Sequence, residues 1–257
     1  MSLQTIEAVM LMAVAALPAR GQTIVYVDDS APTGGDGQSW VTAYKFLQDA
    51  LTIATAGDDI WVVAGTYFPD RNTSNPTGTG DRSATFQFIS GVAVYGGLAG
   101  NEDPATFNLA NRDFVTNVTI LSGDLAVDDV ANPGDGLACF SGAGLAYETG
   151  CGSWDVEPPG GDGDVDCADL GICENSYHVA TLIGSDNTTV LDGFTISGGN
   201  ADGVTDDSGA GLSLGPSNPT LRNCVISNNR AKRHGGGDHG RRQPHSCGLP
   251  DCAEPGR

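Results

Sequence analysis

Thr189–Ala201 reads T-V-L-D-G-F-T-I-S-G-G-N-A, and Pro219–Ala231 reads P-T-L-R-N-C-V-I-S-N-N-R-A. Offset by thirty residues, the two lines superimpose Leu191 on Leu221, Phe194 on Cys224, Ile196 on Ile226, Ser197 on Ser227 and Ala201 on Ala231. Each carries an alternating apolar run too short for a stable helix, closed by Gly and Asn turn residues. A short strand and turn repeated at such a period predicts a solenoid, in which one layer cannot bury its apolar face until the next stacks on it. The same beat is read in Val62-Val63-Ala64-Gly65, Val94-Tyr95-Gly96-Gly97 and Thr119-Ile120-Leu121-Ser122-Gly123. Taking 63, 94, 121, 196 and 226 as one column, the steps are 31, 27, 75 and 30, and an insertion of some fifty residues accounts for the 75.

Composition agrees with a turn-rich β protein: 257 residues include 37 Gly, and only 17% are charged. A formal net charge of −20 argues against a nucleic-acid partner, which requires clustered Lys and Arg. It suits a cationic partner or bound cations. Residues 1–21 read as a secretory signal: Ala8–Ala19 is apolar, and Ala19-Arg20-Gly21 places small residues for cleavage before Gln22. The n-region carries Glu7 and no Lys or Arg, so a buried N-terminal helix is the competing reading. No transmembrane helix is expected in the mature chain, and its expected place is extracellular, secreted or at the cell surface.

Thr23–Asp28 reads as a first strand. From Trp40 to Ala54 the apolar residues Ala43, Phe46, Leu47, Ala50, Leu51 and Ala54 follow helical spacing, and Ile60–Val63 resumes the strand pattern. A helix here would cap the open end of a stacked β core.

The run from Gly35 to Tyr67, G-D-G-Q-S-W…A-Y-K-F-L-Q-D-A-L…A-G-D-D-I-W-V-V-A-G-T-Y, resembles the N-terminal cap of secreted, pectin-lyase-like right-handed parallel β-helix proteins. Ser83–Gly97, Asn117–Asp124, Asn175–Val179 and Val190–Ala201 are similar to surface proteins of planctomycete-type bacteria and to chlamydial polymorphic outer-membrane protein repeats. Val225-Ile226-Ser227-Asn228 matches the F-x-x-N-like strand end of those repeats with Val in place of Phe. The resemblance implies an all-β, right-handed parallel β-helix over residues 22–231, with an N-terminal α-helical cap at about 23–67. It implies no activity by itself, since the fold carries adhesins, lyases and inert stalks.

An insertion at about 125–174 holds Cys139, Cys151, Cys167 and Cys173, with much Gly and Asp. A segment too small for its own core gains from cross-links, and an exported chain keeps them; two disulfides are expected, in any of three pairings. Zinc is disfavoured, because no C-x-x-C is present and His178 lies beyond the cysteines. Within the insertion, Asp162, Asp164, Asp166 and Asp169 fall in a run that resembles half of a dockerin-type calcium loop. Calcium is the candidate cofactor there, and a solvated acidic turn is the alternative, since the earlier ligand positions are Pro158 and Gly160.

Residues 1–229 hold 6 basic and 29 acidic side chains, whereas 230–257 hold 6 and 3. The repeat stops at Lys232, and 232–257 reads either as a basic tail for an anionic partner or as a frameshift artefact. The degenerate code lets a one-base shift from Gly237 turn Gln243–Asp251 into S-P-T-L-V-D-C, an echo of Asn218–Cys224. On that reading His239, His245, Cys247 and Cys252 form no metal site.

No Ser-His-Asp order, nucleophile elbow or phosphate loop is present, so no catalytic or cofactor-binding residue is assigned. Asp192 and Arg222 align one layer apart and are expected to stack as an ion-paired ladder. His178 is expected to pack locally and Cys224 to be a small buried hydrophobe. The expected role is a non-catalytic adhesion or scaffold module binding a glycan or a surface protein. A polysaccharide lyase or glycosidase on the same fold is the alternative.

Overall fold

A computed structural model describes residues 23–129, 173–203, 205, 206 and 208–231. The expected signal segment, most of the insertion and the tail from 232 lie outside the described residues. Short strands in parallel sheets dominate, and the chain belongs to the all-β class.

The first pass holds β1 (Ile24–Val27) and helix α1 (Leu47–Ile53), and the second holds β2 (Asp59–Val63), β3 (Gly65–Tyr67) and β4 (Phe86–Gln87). The third holds β5 (Ala93–Leu98), β6 (Thr119–Ser122) and β7 (Ala180–Thr181). The fourth holds β8 (Val190–Asp192), β9 (Thr195–Ser197), β10 (Asn200–Ala201) and β11 (Leu212–Ser213). The last holds β12 (Thr220–Arg222), β13 (Val225–Ile226) and β14 (Arg230–Ala231). Strands from successive passes pair in parallel: one sheet runs β1-β2-β5-β8-β12, a second β3-β6-β9-β13, a third β4-β7-β11, and β10 pairs β14.

Strand alternation sets which residues face the shared core. In the first sheet Val25, Ile60, Val94, Leu191 and Leu221 are register partners, and all lie in one buried cluster. Tyr67, Leu121 and Ile196 add the second sheet to that cluster, and Phe86 and Ala180 the third. Side chains alternate to the other face at Tyr26, Trp61, Tyr95, Asp192 and Arg222, also in register. Leu47, Ala50, Leu51 and Ala54 close the core beside β1 and β4.

The pairings Leu191↔Leu221, Ile196↔Ile226 and Ala201↔Ala231 are those read from the repeat. The single column of anchors is corrected. Val94 partners Ile60, Val63 partners Leu98, and Leu121 lies in the second sheet, above Tyr67 and below Ile196. The column mixed two faces, because strands on both bury the same kinds of side chain.

The helix is shorter than its spacing suggests. Trp40–Thr42 is one 3-10 turn, and the Tyr44 N–H donates to the Tyr26 carbonyl while the Asp28 N–H donates to the Tyr44 carbonyl. These bonds to β1 keep 43–45 extended, and Ala43 packs outside the main core, beside Trp61 and Leu98. Lys45 therefore precedes the helix, donating to the Asp29 carbonyl.

Cys224 is buried with Phe194 in the main cluster, its thiol against the Arg222 carbonyl at 3.0 Å; burial raises its pKa. Leu191 is fully buried between two register partners. Leu191→Ala is expected to lower unfolding free energy by about 2–5 kcal/mol, read as a reduced denaturant midpoint at unchanged slope.

Candidate functional site: an aromatic cleft on the first sheet

The outward column Tyr26–Trp61–Tyr95–Asp192–Arg222 begins aromatic and ends charged. Residues 99–118, between β5 and β6, fold back over its aromatic part. Arg112 fixes them there: its Nη2 lies 2.9 Å from Asp192 Oδ2, and Nη1 donates to the carbonyls of Gly96 at 2.8 Å and Asp192 at 3.1 Å. The guanidinium also sits 5.3 Å from the Tyr95 ring centre and 4.9 Å from that of Phe114. Phe114 fills the notch over Gly97 and Gly193. Gly193 has φ +90°, and a Cβ there would lie 2.7 Å from the Phe114 ring.

This arrangement corrects the expected Asp192–Arg222 ladder. The two are register partners, but Asp192 pairs with Arg112 and accepts from Asn223 Nδ2 at 2.8 Å, while Arg222 is exposed. A guanidinium held at 3% exposure by four acceptor contacts is the better partner for a carboxylate at 7%.

The other end of the segment is tied by Glu102. Its carboxylate accepts from the N–H groups of Ala99, Gly100 and Asn101, and its carbonyl accepts from Trp40 Nε1 at 2.9 Å. Between these ties and β1–β2 opens a cleft of about 570 Å³, lined by Ile24, Asp59, Trp61, Pro104, Phe107, Asn108 and Leu109. Rings pack edge-on around its floor: Trp61 to Phe107 at 6.3 Å, Trp61 to Tyr26 at 6.2 Å, and Tyr26 to Trp40 at 4.6 Å. Trp61 is 3% exposed, and its buried indole Nε1 has no hydrogen-bond partner among the described residues. Burial raises the pKa of Tyr95, and the Asp59 and Asp192 carboxylates raise it further against Arg112 and Arg222; Tyr26 is raised by burial and by Asp103. The cleft is an apolar slot with the Asp59 carboxylate and the exposed Asn108 amide among its lining.

Asp162, Asp164, Asp166, Asp169, Cys139, Cys151 and Cys167 lie outside the described residues. Cys173 is disulfide-bonded. His178 bonds locally, Nδ1 at 3.1 Å from the Gly209 carbonyl and Nε2 at 3.5 Å from Asp206 Oδ1. Arg82 joins separate passes: it donates to the Asn175 and Asn200 carbonyls, pairs with Asp202 at 2.6 Å and covers the Tyr177 ring at 4.3 Å.

Sequence reasoning missed the cleft. Its signal was the aromatic residue on the outward phase of β1, β2 and β5, a solvent-side position where polar residues are the norm. No family model, curated protein or solved structure matches the chain.

Arg112→Met leaves the Asp192 carboxylate buried beside Tyr95 without its partner, and an expected loss of about 3–5 kcal/mol follows. The double change Arg112→Met/Asp192→Leu is expected to recover most of it in the same thermal or denaturant unfolding assay.

Proposed function

We propose that the chain is an exported right-handed parallel β-helix module of the cell surface or extracellular space, and that its aromatic cleft binds a glycan without turning it over. The observation that carries this reading is the open cleft lined by Trp61, Phe107, Ile24, Pro104 and Leu109 with Asp59 and Asn108 among them. Sugar rings present C–H faces that pack on aromatic and aliphatic side chains, and hydroxyls that hydrogen-bond to polar side chains. Ile24, Pro104, Phe107 and Leu109 supply the first kind of surface; Asp59 and Asn108 supply the second. The parallel in-register sheets and the helix closing one end support the β-helix part of the reading.

Among the described residues Asp59 is the one carboxylate lining the cleft, whereas glycoside hydrolysis in its usual form places two across the scissile bond. Binding therefore fits this lining better than hydrolysis. Among the described residues, no helix is long and apolar enough to cross a membrane. The export reading rests on the apolar N-terminal segment, and the mature chain produced in a secreting bacterial host is expected to begin at Gln22, as read by N-terminal sequencing.

Screening the full chain against immobilised glycans, followed by calorimetry on the best binder, tests the cleft. Trp61→Phe shrinks the ring that forms the cleft wall, and is expected to weaken binding by about 0.5–1.5 kcal/mol, roughly two- to tenfold. Phe107→Ala is expected to weaken it at least as much, and Arg222→Ala on the exposed end of the same sheet to leave it unchanged. Binding unaffected by Trp61→Phe and Phe107→Ala would remove the cleft from the reading. Release of reducing or unsaturated ends, abolished by Asp59→Asn, would replace binding by catalysis.

A further inference from the structure

Between β6 and β7 the chain leaves the stack at Gly123 and returns at Ser176, whose N–H donates to the Gly123 carbonyl at 2.8 Å. The outgoing stem carries Asp124, Asp128 and Asp129, and the returning stem carries Glu174 and Asn175. One carboxylate oxygen from each of Asp124, Asp128 and Glu174 lies within 4.8 Å of the others. Among the described residues, no Lys or Arg forms an ion pair with any of the four carboxylates. The guanidinium of Arg71 reaches only the Leu125 carbonyl nearby, at 3.4 Å. Like charges this close repel strongly unless a proton or a cation intervenes.

A second observation comes from a neutral residue. Asn175 is 1% exposed, and its amide is turned to the cluster, with Nδ2 donating to both Asp129 oxygens at 3.1 Å. Among the described residues its buried Oδ1 has no hydrogen-bond partner, and the same holds for Glu174 Oε1. Buried acceptors without donors are rare, because each keeps the full cost of leaving water. Two of them beside a knot of carboxylates make a set short of positive charge.

We infer that Asp124, Asp128 and Glu174, with the buried Asn175 amide adjoining them, form a Ca²⁺ site that ties the two stems together. The ligand set is all oxygen, which selects a hard cation over zinc or copper. Ca²⁺–oxygen distances of about 2.3–2.6 Å put ligands on opposite sides of the ion roughly 4.6–5.2 Å apart, so oxygens within 4.8 Å of one another fit one coordination sphere. Carboxylates from both stems leave the remaining positions to water. Mg²⁺, which needs a tighter octahedron and holds its own water, is the poorer fit. These residues are separate from the Asp162–Asp169 run.

The test uses the full chain freed of metal with EDTA, titrated with CaCl₂ by calorimetry and by thermal unfolding. A dissociation constant of about 0.1–1 mM, the range of extracellular calcium modules, and a rising melting temperature are expected, with a weaker response to MgCl₂. Asp128 is exposed, so Asp128→Asn should fold normally; it is expected to weaken this Ca²⁺ step about tenfold or more and to remove its thermal shift. Asp164→Ala is expected to leave the step in place. Absence of any Ca²⁺ heat or thermal shift at 5 mM, a concentration about fivefold above the weak end of that range, overturns the site. A Ca²⁺ response lost in Asp164→Ala and kept in Asp128→Asn also overturns it, by moving the ion to the acidic run.

Discussion

Register between successive passes is the constraint on which everything else in this chain depends. Val25, Ile60, Val94, Leu191 and Leu221 stack in one line only if each pass returns to the same phase of the strand. A slip of one residue would exchange that line with Tyr26, Trp61, Tyr95, Asp192 and Arg222, burying two charges and exposing the core. Each member of the inward line is covered by its register partners from other stretches of the chain, so the line holds the parallel sheet together.

The outward line then becomes the working surface by default. Its aromatic members would be a liability in water, and residues 99–118 cover them, held by the buried Arg112–Asp192 pair at one end and the Glu102 bonds at the other. The cover is incomplete, and the gap is the cleft. One ion pair between a loop and a strand eighty residues later thus shapes a site to which neither partner contributes a lining atom.

Local repetition made part of this legible. Where two passes follow each other without long excursions, as at Leu191 and Leu221 or Ile196 and Ile226, sequence spacing is spatial spacing and the pairing could be read directly. Val94 and Leu121 could not be assigned to different sheets, because inward positions on every face ask for the same small set of apolar residues. The extended segment at 43–45 was hidden behind helical spacing, since its hydrogen bonds go to β1, far outside any local window. For the same reason Asp192 was matched to its register neighbour Arg222, when the deciding partner was Arg112. The cleft draws on residues 24, 59–61 and 104–109, and the acidic base on 124–129 and 174–175; each is assembled by stacking and invisible to a local motif.

The excursion between β6 and β7 begins and ends at one hydrogen bond, Ser176 N–H to the Gly123 carbonyl. With the two stems kept, that bond fixes the gap the intervening chain has to close. Closing a longer loop over that fixed gap costs only about 0.6 kcal/mol for each doubling of length. The stack is consequently a chassis with a built-in socket: a foreign peptide or a small folded domain whose own ends lie close together can be spliced in beyond the two stems, after Asp129 and before Glu174, with the bond from Arg82 to the Asn175 carbonyl left in place.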